Sequence, residues 1–527
     1  MLPQKLFEIR KKRKMSQESL AEKIGVSRQA IQKWEAGTSR PDSENLLSLA
    51  RVLGVTTDTL LGNDTRTIEE LRLGRELIPD YSDAHKWDTY QSQLRLEYRQ
   101  SYDEGRDIER FQGLFAEVER IAPGPAKEHL ADVLFGLVMD AGQREDFPYE
   151  EPSDLESIRR LSALPDTRAQ TPAEPILRDR IKGAWMGRIC GCLLGKPLEG
   201  ARTNIFWPKL KATGNFPLNR YLVGADFEES DREAFRLDSR GKMLADRVEC
   251  APVDDDTNYT VLACELVERY GLLFTPANVA EVWVDVQSKN AYCTAERVAY
   301  RNFIAGYRPP VSAVYKNPYR EWIGAQIRAD YFGYINPGDP QTAADMAWRD
   351  ASISHVKNGI YGEMFVAAML AHAAVCDDVE EVISCGLGHI PSTSRLHAGL
   401  RAIVEAYERG VGSDECFKSI HARYDEHDEY DWCHTIPNAE IVVASLLYGK
   451  GDFAKTICLS VQCGFDTDCN GATVGSVFGM MHGIGSIDKV WKAPVRDMLD
   501  TSIFGVGKVG VDEMVERTMG HIRLKRG

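Results

Sequence analysis

The sequence predicts an all-α protein, with an N-terminal five-helix unit and a large C-terminal helical domain joined by a connecting region. Three observations carry this reading. Apolar residues recur at helical spacing through most of residues 175–527. Alternating strand patterns are scarce there, and no Gly-rich turn follows a strand, which disfavours a doubly wound α/β domain. The first 63 residues read as short helices separated by glycine turns and begun by Ser or Asp caps.

At 527 residues the chain is too long for one ordinary domain. Its 43% hydrophobic and 27% charged residues suit a folded globular protein. The net charge of −15 makes any nucleic-acid contact local rather than global. No apolar run is long enough to span a bilayer, so no membrane partner is expected. The twelve cysteines start at Cys190 and form no C-x-x-C pair. With no secretory h-region, free thiols in a reducing cytoplasm are expected.

Residues 1–63 come first. Lys5–Lys14 is a basic helix, Ser16 caps a second helix through Ile24, and Gly25-Val26-Ser27 is a three-residue turn. Ser27 caps Arg28–Ala36, and Asp42 opens a helix through Leu53. Helix, three-residue glycine turn, helix is the spacing of a helix-turn-helix. The segment holds 11 Lys/Arg against 7 Asp/Glu, positive inside a negative chain, as a DNA-facing module requires. A small helical protein-interaction module is the alternative. Ser16-Gln17-Glu18, Leu20-Ala21 and Gly25 through Glu35 resemble the Cro/repressor-like helix-turn-helix family. That resemblance implies a DNA partner through residues 1–63, contacted by Gln17, Ser27, Arg28, Gln29, Gln32 and Lys33. It also implies a homodimer, because half-site spacing mirrors a two-fold axis.

Residues 64–174 read as a helical spacer or dimerisation region ending in a linker. Helical periodicity covers Ile68–Leu77, Tyr90–Arg99, Arg106–Ile121 and Ala126–Ala141, and Glu145–Pro175 is rich in Pro, Asp and Glu. In residues 175–527 helices are predicted at Val261–Tyr270, Ala277–Val286, Ala343–Ala351, Tyr361–Ala374, Leu396–Glu408, Ala439–Leu447, Phe453–Val461 and Thr473–His482.

Two acidic clusters stand out in this domain: Asp254-Asp255-Asp256-Thr257 and Asp466-Thr467-Asp468. Each sits among apolar and small residues at a helix start. Burying that many carboxylates is prohibitive unless a cation neutralises them. An all-oxygen donor set suits Mg²⁺, and two such pairs could hold two ions sharing a bridging water. EF-hand spacing is absent, and no His or Cys group is spaced for Zn²⁺. The plain alternative is that each cluster caps a helix and meets its macrodipole. A third segment, Ile181 through Gly200, is a small-residue helix ending in a Gly/Pro turn with Glu199 beside it.

Taken in order, Gly191–Gly195 with Glu199, Asp254–Thr257 and Asp466–Asn470 resemble the ADP-ribosylglycohydrolase superfamily, including the dinitrogenase-reductase-activating glycohydrolases. The resemblance implies an all-α domain with two Mg²⁺ ions, acting on an ADP-ribosylated or related ribosyl substrate. Carried over, it makes Asp254, Asp255, Asp256, Asp466, Asp468 and the Cys469 position metal ligands, with Glu199 and Asp255 as the catalytic carboxylates. Three positions depart from the family pattern: Cys192 stands for its Asp, Asp254 for its Thr or Ser, and Cys469 for its last Thr. The stretch Ile323 through Arg328 resembles the family's Asn-Gly-x-x-x-Arg, with Ile323 in place of Asn. Ser354 through Gly362 resembles its His-containing helix start. Together these imply Arg328, His355 and Asn358 as substrate contacts. The aromatic stretch Tyr307–Asp339 reads either as a lid over a base or as an ordinary loop. The expected activity is hydrolysis of a ribosyl glycosidic bond linked to DNA binding. The rival is a transcription regulator whose large domain senses such a ligand with little turnover.

Overall fold

The computed structural model describes residues 2–62, 80–81, 84–165 and 169–526. The chain divides into two compact units, Met1–Ala84 and His85–Gly527.

The first unit carries five helices in its described residues: α1 (Leu2–Lys12), α2 (Gln17–Ile24), α3 (Arg28–Glu35), α4 (Ser43–Leu53) and α5 (Thr57–Leu61). Ser16, Ser27, Asp42 and Thr56 each accept a backbone N–H three residues on, which satisfies an otherwise orphaned helix-end donor. Gly25, Gly54 and Gly62 close α2, α4 and α5 in the left-handed conformation that glycine adopts without steric cost. Leu6, Leu20, Ile31, Trp34, Leu49, Leu53 and Leu60 form the core. Arg10 crosses beneath α3, its Nε 2.6 Å from Glu35, and pairs with it while both are nearly buried.

The second unit is helical, and its one sheet among the described residues is the two-residue pair β1 (Met498–Leu499) and β2 (Val509–Gly510). The helices that position the site are α6 (Leu94–Asp103), α7 (Glu174–Gly195), α8 (Asp255–Tyr270), α9 (Lys357–Ala373), α10 (Thr435–Gly449) and α11 (Thr467–His482). Every helix expected from 261 onward is present. Helices α8 and α11 begin about six residues earlier than apolar periodicity predicts, because their acidic first turns are helical too. No helix among the described residues is long and apolar enough to cross a membrane. All twelve cysteines are free thiols.

The expected spacer at 64–174 is divided differently by the structure. From His85 on it belongs to the large unit. The expected helix Ile68–Leu77 lies outside the described residues. Arg320 is buried and holds Glu97 and Glu104 of the α6 region at 2.9 and 2.6 Å. Asp88 takes both Arg297 and Lys289. Gln100 donates to buried Glu321. The Pro- and acid-rich stretch read as a linker contains the helix Leu155–Leu161, and its Glu151 is buried against Arg395 and Asn358.

Candidate functional site

A glycine ladder builds the site. Helices α7 and α11 run antiparallel with Gly183, Gly187 and Gly191 facing Gly479, Gly475 and Gly471. A Cβ on Gly191 would lie 1.8 Å from the Gly471 carbonyl oxygen, and one on Gly475 would lie 2.1 Å from that of Gly187. Only glycine permits this backbone contact. The ladder ends where Thr467 Oγ1 donates to the Gly195 carbonyl at 2.9 Å. It therefore sets the last residues of α7 directly beside the Asp466–Asp468 cluster at the start of α11.

The second cluster arrives with α8. Asp254 is the N-cap of that helix, and its Oδ1 accepts the Asp256 N–H at 3.0 Å. Asp466 occupies the corresponding position before α11 but makes no capping bond. Its backbone N–H donates to Asn438 of α10, and the Cys433 thiol donates to its carboxylate. Asp254, Asp256, Asp466 and Asp468 are all buried, while Glu199 and Asp255 keep partial exposure.

Between the clusters sits Lys196, the residue after α7. Its Nζ lies 2.7 Å from Asp254 Oδ2, 2.9 Å from Asp468 Oδ2 and 2.8 Å from Glu199 Oε2. On the far side buried Arg188 donates to Ile327 and Asp330 and sits 3.6 Å from Asp256. Burial and the neighbouring carboxylates still dominate. Burial and then Asp254 push Asp255 up to about 8. Burial with Asp468 holds Asp256 well above the usual carboxylate range, and Asp466 is raised for the same reasons. The Cys192 and Cys469 thiols are raised by burial and the surrounding acids. Both Asp256 oxygens and Asp468 Oδ1 are buried without a hydrogen-bond partner. Asp256, Asp468 and Cys469 bring one donor atom each within 4.8 Å of one another. Unpartnered, buried carboxylate oxygens converging from two helices suit a hard divalent cation.

The residues expected at the substrate are placed differently. Arg328 is buried, with its guanidinium on Glu296, Asp350 and Ser354. Asn358 is buried, donates to Glu321 and Glu151, and accepts from the Leu396 N–H. His355 is buried with Nδ1 on Ser354, and burial holds its pKa well below the ordinary histidine value. Internal polar partners thus engage Arg328 and Asn358 where substrate contacts were expected, and His355 is enclosed with them. The aromatic stretch is core rather than lid: Tyr319, Trp322, Tyr331, Phe332 and Tyr334 are all buried.

In the first unit Ser27, Arg28, Gln29, Gln32 and Lys33 are exposed along the N-terminal part and outer face of α3. Arg28 pairs with Glu18 at 2.8 Å, both well exposed. Gln17 is half-buried and donates to Glu35 at 2.7 Å, which ties it to the Arg10 pair.

Sequence reading missed three cations near the acids. Lys196 and Arg188 carried a signal, being charged residues inside an otherwise small and apolar run. Arg202 carried none. It lies over the Trp432 ring at 4.7 Å, within electrostatic reach of Glu426 and Asp466, and its buried Nη1 has no hydrogen-bond partner.

Comparison with known proteins gives one family match inside each unit. A family model described as ADP-ribosylglycohydrolase matches residues 173–524, and one described as helix-turn-helix matches residues 6–60. The chain is 41% identical over 68 residues to the HTH-type transcriptional activator BcrR of Enterococcus faecalis, covering 13% of this chain and 33% of BcrR. It is 35% identical over 92 residues to the HTH-type transcriptional regulator YobD of Bacillus subtilis (strain 168), covering 17% of this chain and 80% of YobD. It is 44% identical over 55 residues to Repressor protein C2 of Salmonella phage P22, covering 10% of this chain and 26% of that protein. The chain thus spans only a third of the length of BcrR. A solved chain from an ADP-ribosylglycohydrolase-related protein complex aligns at TM-score 0.42 and 19% identity, covering 66% of this chain and 99% of that one. With the match from 173 to 524 taking in Glu199 and both acidic clusters, this chain belongs to the ADP-ribosylglycohydrolase family and carries a helix-turn-helix domain before it.

Proposed function

We propose that the large unit is a divalent-cation-dependent hydrolase of an N- or O-glycosidic bond in an ADP-ribosyl or related ribosyl substrate, and that the first unit ties it to DNA. The observation that carries the reading is the convergence of six carboxylates, with Asp256 and Asp468 presenting buried, unpartnered oxygens. Asp256 and Asp468 would hold the cation, which when bound would orient ribose hydroxyls and acidify a water.

Of the six acids, Glu199 and Asp255 reach solvent, so they are the ones able to meet a substrate. One of them takes a proton from the attacking water. The water oxygen bonds to C1 of the ribose while the glycosidic bond breaks and the leaving group gains a proton. The remaining carboxylates stabilise the oxocarbenium-like transition state. Arg202 beside Asp466, its buried Nη1 lacking a partner, suits a phosphate of the substrate. On the DNA side, exposed Arg28 and Lys33 fit phosphate or base contacts near the start and outer face of α3. Arg28→Ala and Lys33→Ala should each weaken operator binding and lower the salt slope by about 1 if the lost contact is to phosphate. Unchanged salt slopes in both would count against that placement.

Incubation of the full chain with Mg²⁺ and ADP-ribosylated arginine, serine or nucleic acid should release ADP-ribose; nucleosides provide the ribose-releasing arm. No release from any of them would sink the hydrolase reading. One feature favours a second reading: Lys196 already neutralises part of the centre, and Cys192 and Cys469 stand among its acids. In that reading the unit senses a ribosyl ligand and controls DNA release with little turnover. Asp468→Ala separates the two. Loss of ligand-driven DNA release, with no measurable hydrolysis by the parent, would favour the sensor.

A further inference from the structure

We propose that the Lys196 ammonium permanently occupies one cation position of the carboxylate centre, leaving a single divalent-ion position at Asp256 and Asp468. The inference rests on the proposed role of this centre and revises the expectation of two Mg²⁺ ions.

The ammonium has three N–H donors, and three carboxylate oxygens from three separate segments stand 2.7–2.9 Å from it: Asp254 Oδ2, Asp468 Oδ2 and Glu199 Oε2. The Asp468 contact is a charge-assisted hydrogen bond, and the Asp254 and Glu199 contacts are close ion pairs. Mg²⁺ requires oxygens at roughly 2.0–2.1 Å. An ion placed among these three oxygens would overlap Nζ. The lysine is also fixed at its root. It follows Gly195, where an added Cβ would meet the Thr467 and Asp468 backbone at 2.3–2.4 Å, and it precedes Pro197 in a tight turn.

Asp254 Oδ1 caps its own helix, and Oδ2 is ion-paired with Lys196 without a hydrogen bond. That weakens the cluster of Cys192, Asp254 and Asp256 as a second ion position, although their donor atoms are close together. Asp254 Oδ2, which also makes no hydrogen bond, is neutralised by Lys196, and the oxygens left over are both of Asp256 and Oδ1 of Asp468. Arg188 leaves them available, since it contacts Asp256 chiefly through the backbone carbonyl and lies 3.6 Å from the carboxylate.

The test is divalent-ion stoichiometry. The purified full chain is titrated with Mn²⁺, free ion is read by electron paramagnetic resonance, and bound metal is checked by elemental analysis. One Mn²⁺ per chain is expected, with no signature of a coupled ion pair. Lys196→Met, which keeps the length and removes the charge, should bind two. Two ions, or none, on the parent chain would overturn the proposal without recourse to any variant. So would a folded Lys196→Met, verified by circular dichroism, that still binds one. The hydrolase reading fails on a different readout: one bound ion with no ADP-ribose released counts against hydrolysis and leaves the lysine assignment standing.

Discussion

The two acidic clusters look alike in sequence and differ in what holds them. Asp254–Asp256 is partly self-sufficient, because Asp254 caps α8 with one oxygen and faces Lys196 with the other. Asp466–Asp468 makes no capping bond and depends on other elements: Asn438 and Cys433 around Asp466, Lys196 on Asp468. One cluster is a helix cap recruited to a site. The other is a site that happens to stand at a helix start. Composition alone therefore does not separate a structural acid from a functional one; the partner of each oxygen does.

The largest expected effect comes from disturbing what brings the clusters together. In Gly191→Val the new Cβ would begin 1.8 Å from the Gly471 carbonyl oxygen, with neither backbone able to yield. The cost should exceed the ~1–3 kcal/mol of ordinary overpacking. The large unit should lose its cooperative thermal transition or express insolubly. A variant melting like the parent would mean that α7 and α11 do not touch through the glycines.

Next in size is the difference in function between the clusters. Asp468→Ala removes an oxygen facing Lys196 and the unpartnered one beside Asp256. It should abolish binding of the single ion and lower ADP-ribose release by ~100-fold or more, the scale of losing a preorganised electrostatic partner of the transition state. Asp254→Ala should leave Mn²⁺ binding detectable, because one of its oxygens caps its helix and the other is paired with Lys196. Equal loss of metal in both variants would erase the distinction.

What could be read from sequence follows the same division between local and distant partners. The helix-turn-helix was legible because its caps and turns act within three or four residues: Ser16 on Ser19, Ser27 on Ala30, Gly25 closing α2. The acidic clusters were legible because helix starts are local too. The packing of residues 85–174, read as a spacer or dimerisation region with a linker, was not legible, because Asp88, Glu97 and Glu104 look like surface charge, yet their partners Arg297 and Arg320 are more than 200 positions away. Lys196 escaped for that reason: two of its three acids lie in distant segments, Asp468 brought near by the glycine ladder and Asp254 by α8. Arg328 and Asn358 are buried with internal polar partners, which a motif match does not reveal.

The smallest effect offers the sharpest contrast. At position 254, Asn keeps the capping oxygen and Ala loses it, so Asp254→Ala should be less stable than Asp254→Asn by about 1 kcal/mol, within the 0.5–2 kcal/mol range of N-cap losses. At position 466 no cap exists to lose, and the Asn–Ala difference should shrink to about 0.5 kcal/mol or less, the scale of a weak thiol contact. Comparing Asn with Ala at one site cancels the change in charge, because both remove the same carboxylate. Urea unfolding of the four variants, monitored by far-ultraviolet circular dichroism, gives both differences directly. A gap at 466 as large as the one at 254 would show that Asp466 supports its helix as Asp254 does, and that the clusters are mechanically equivalent after all.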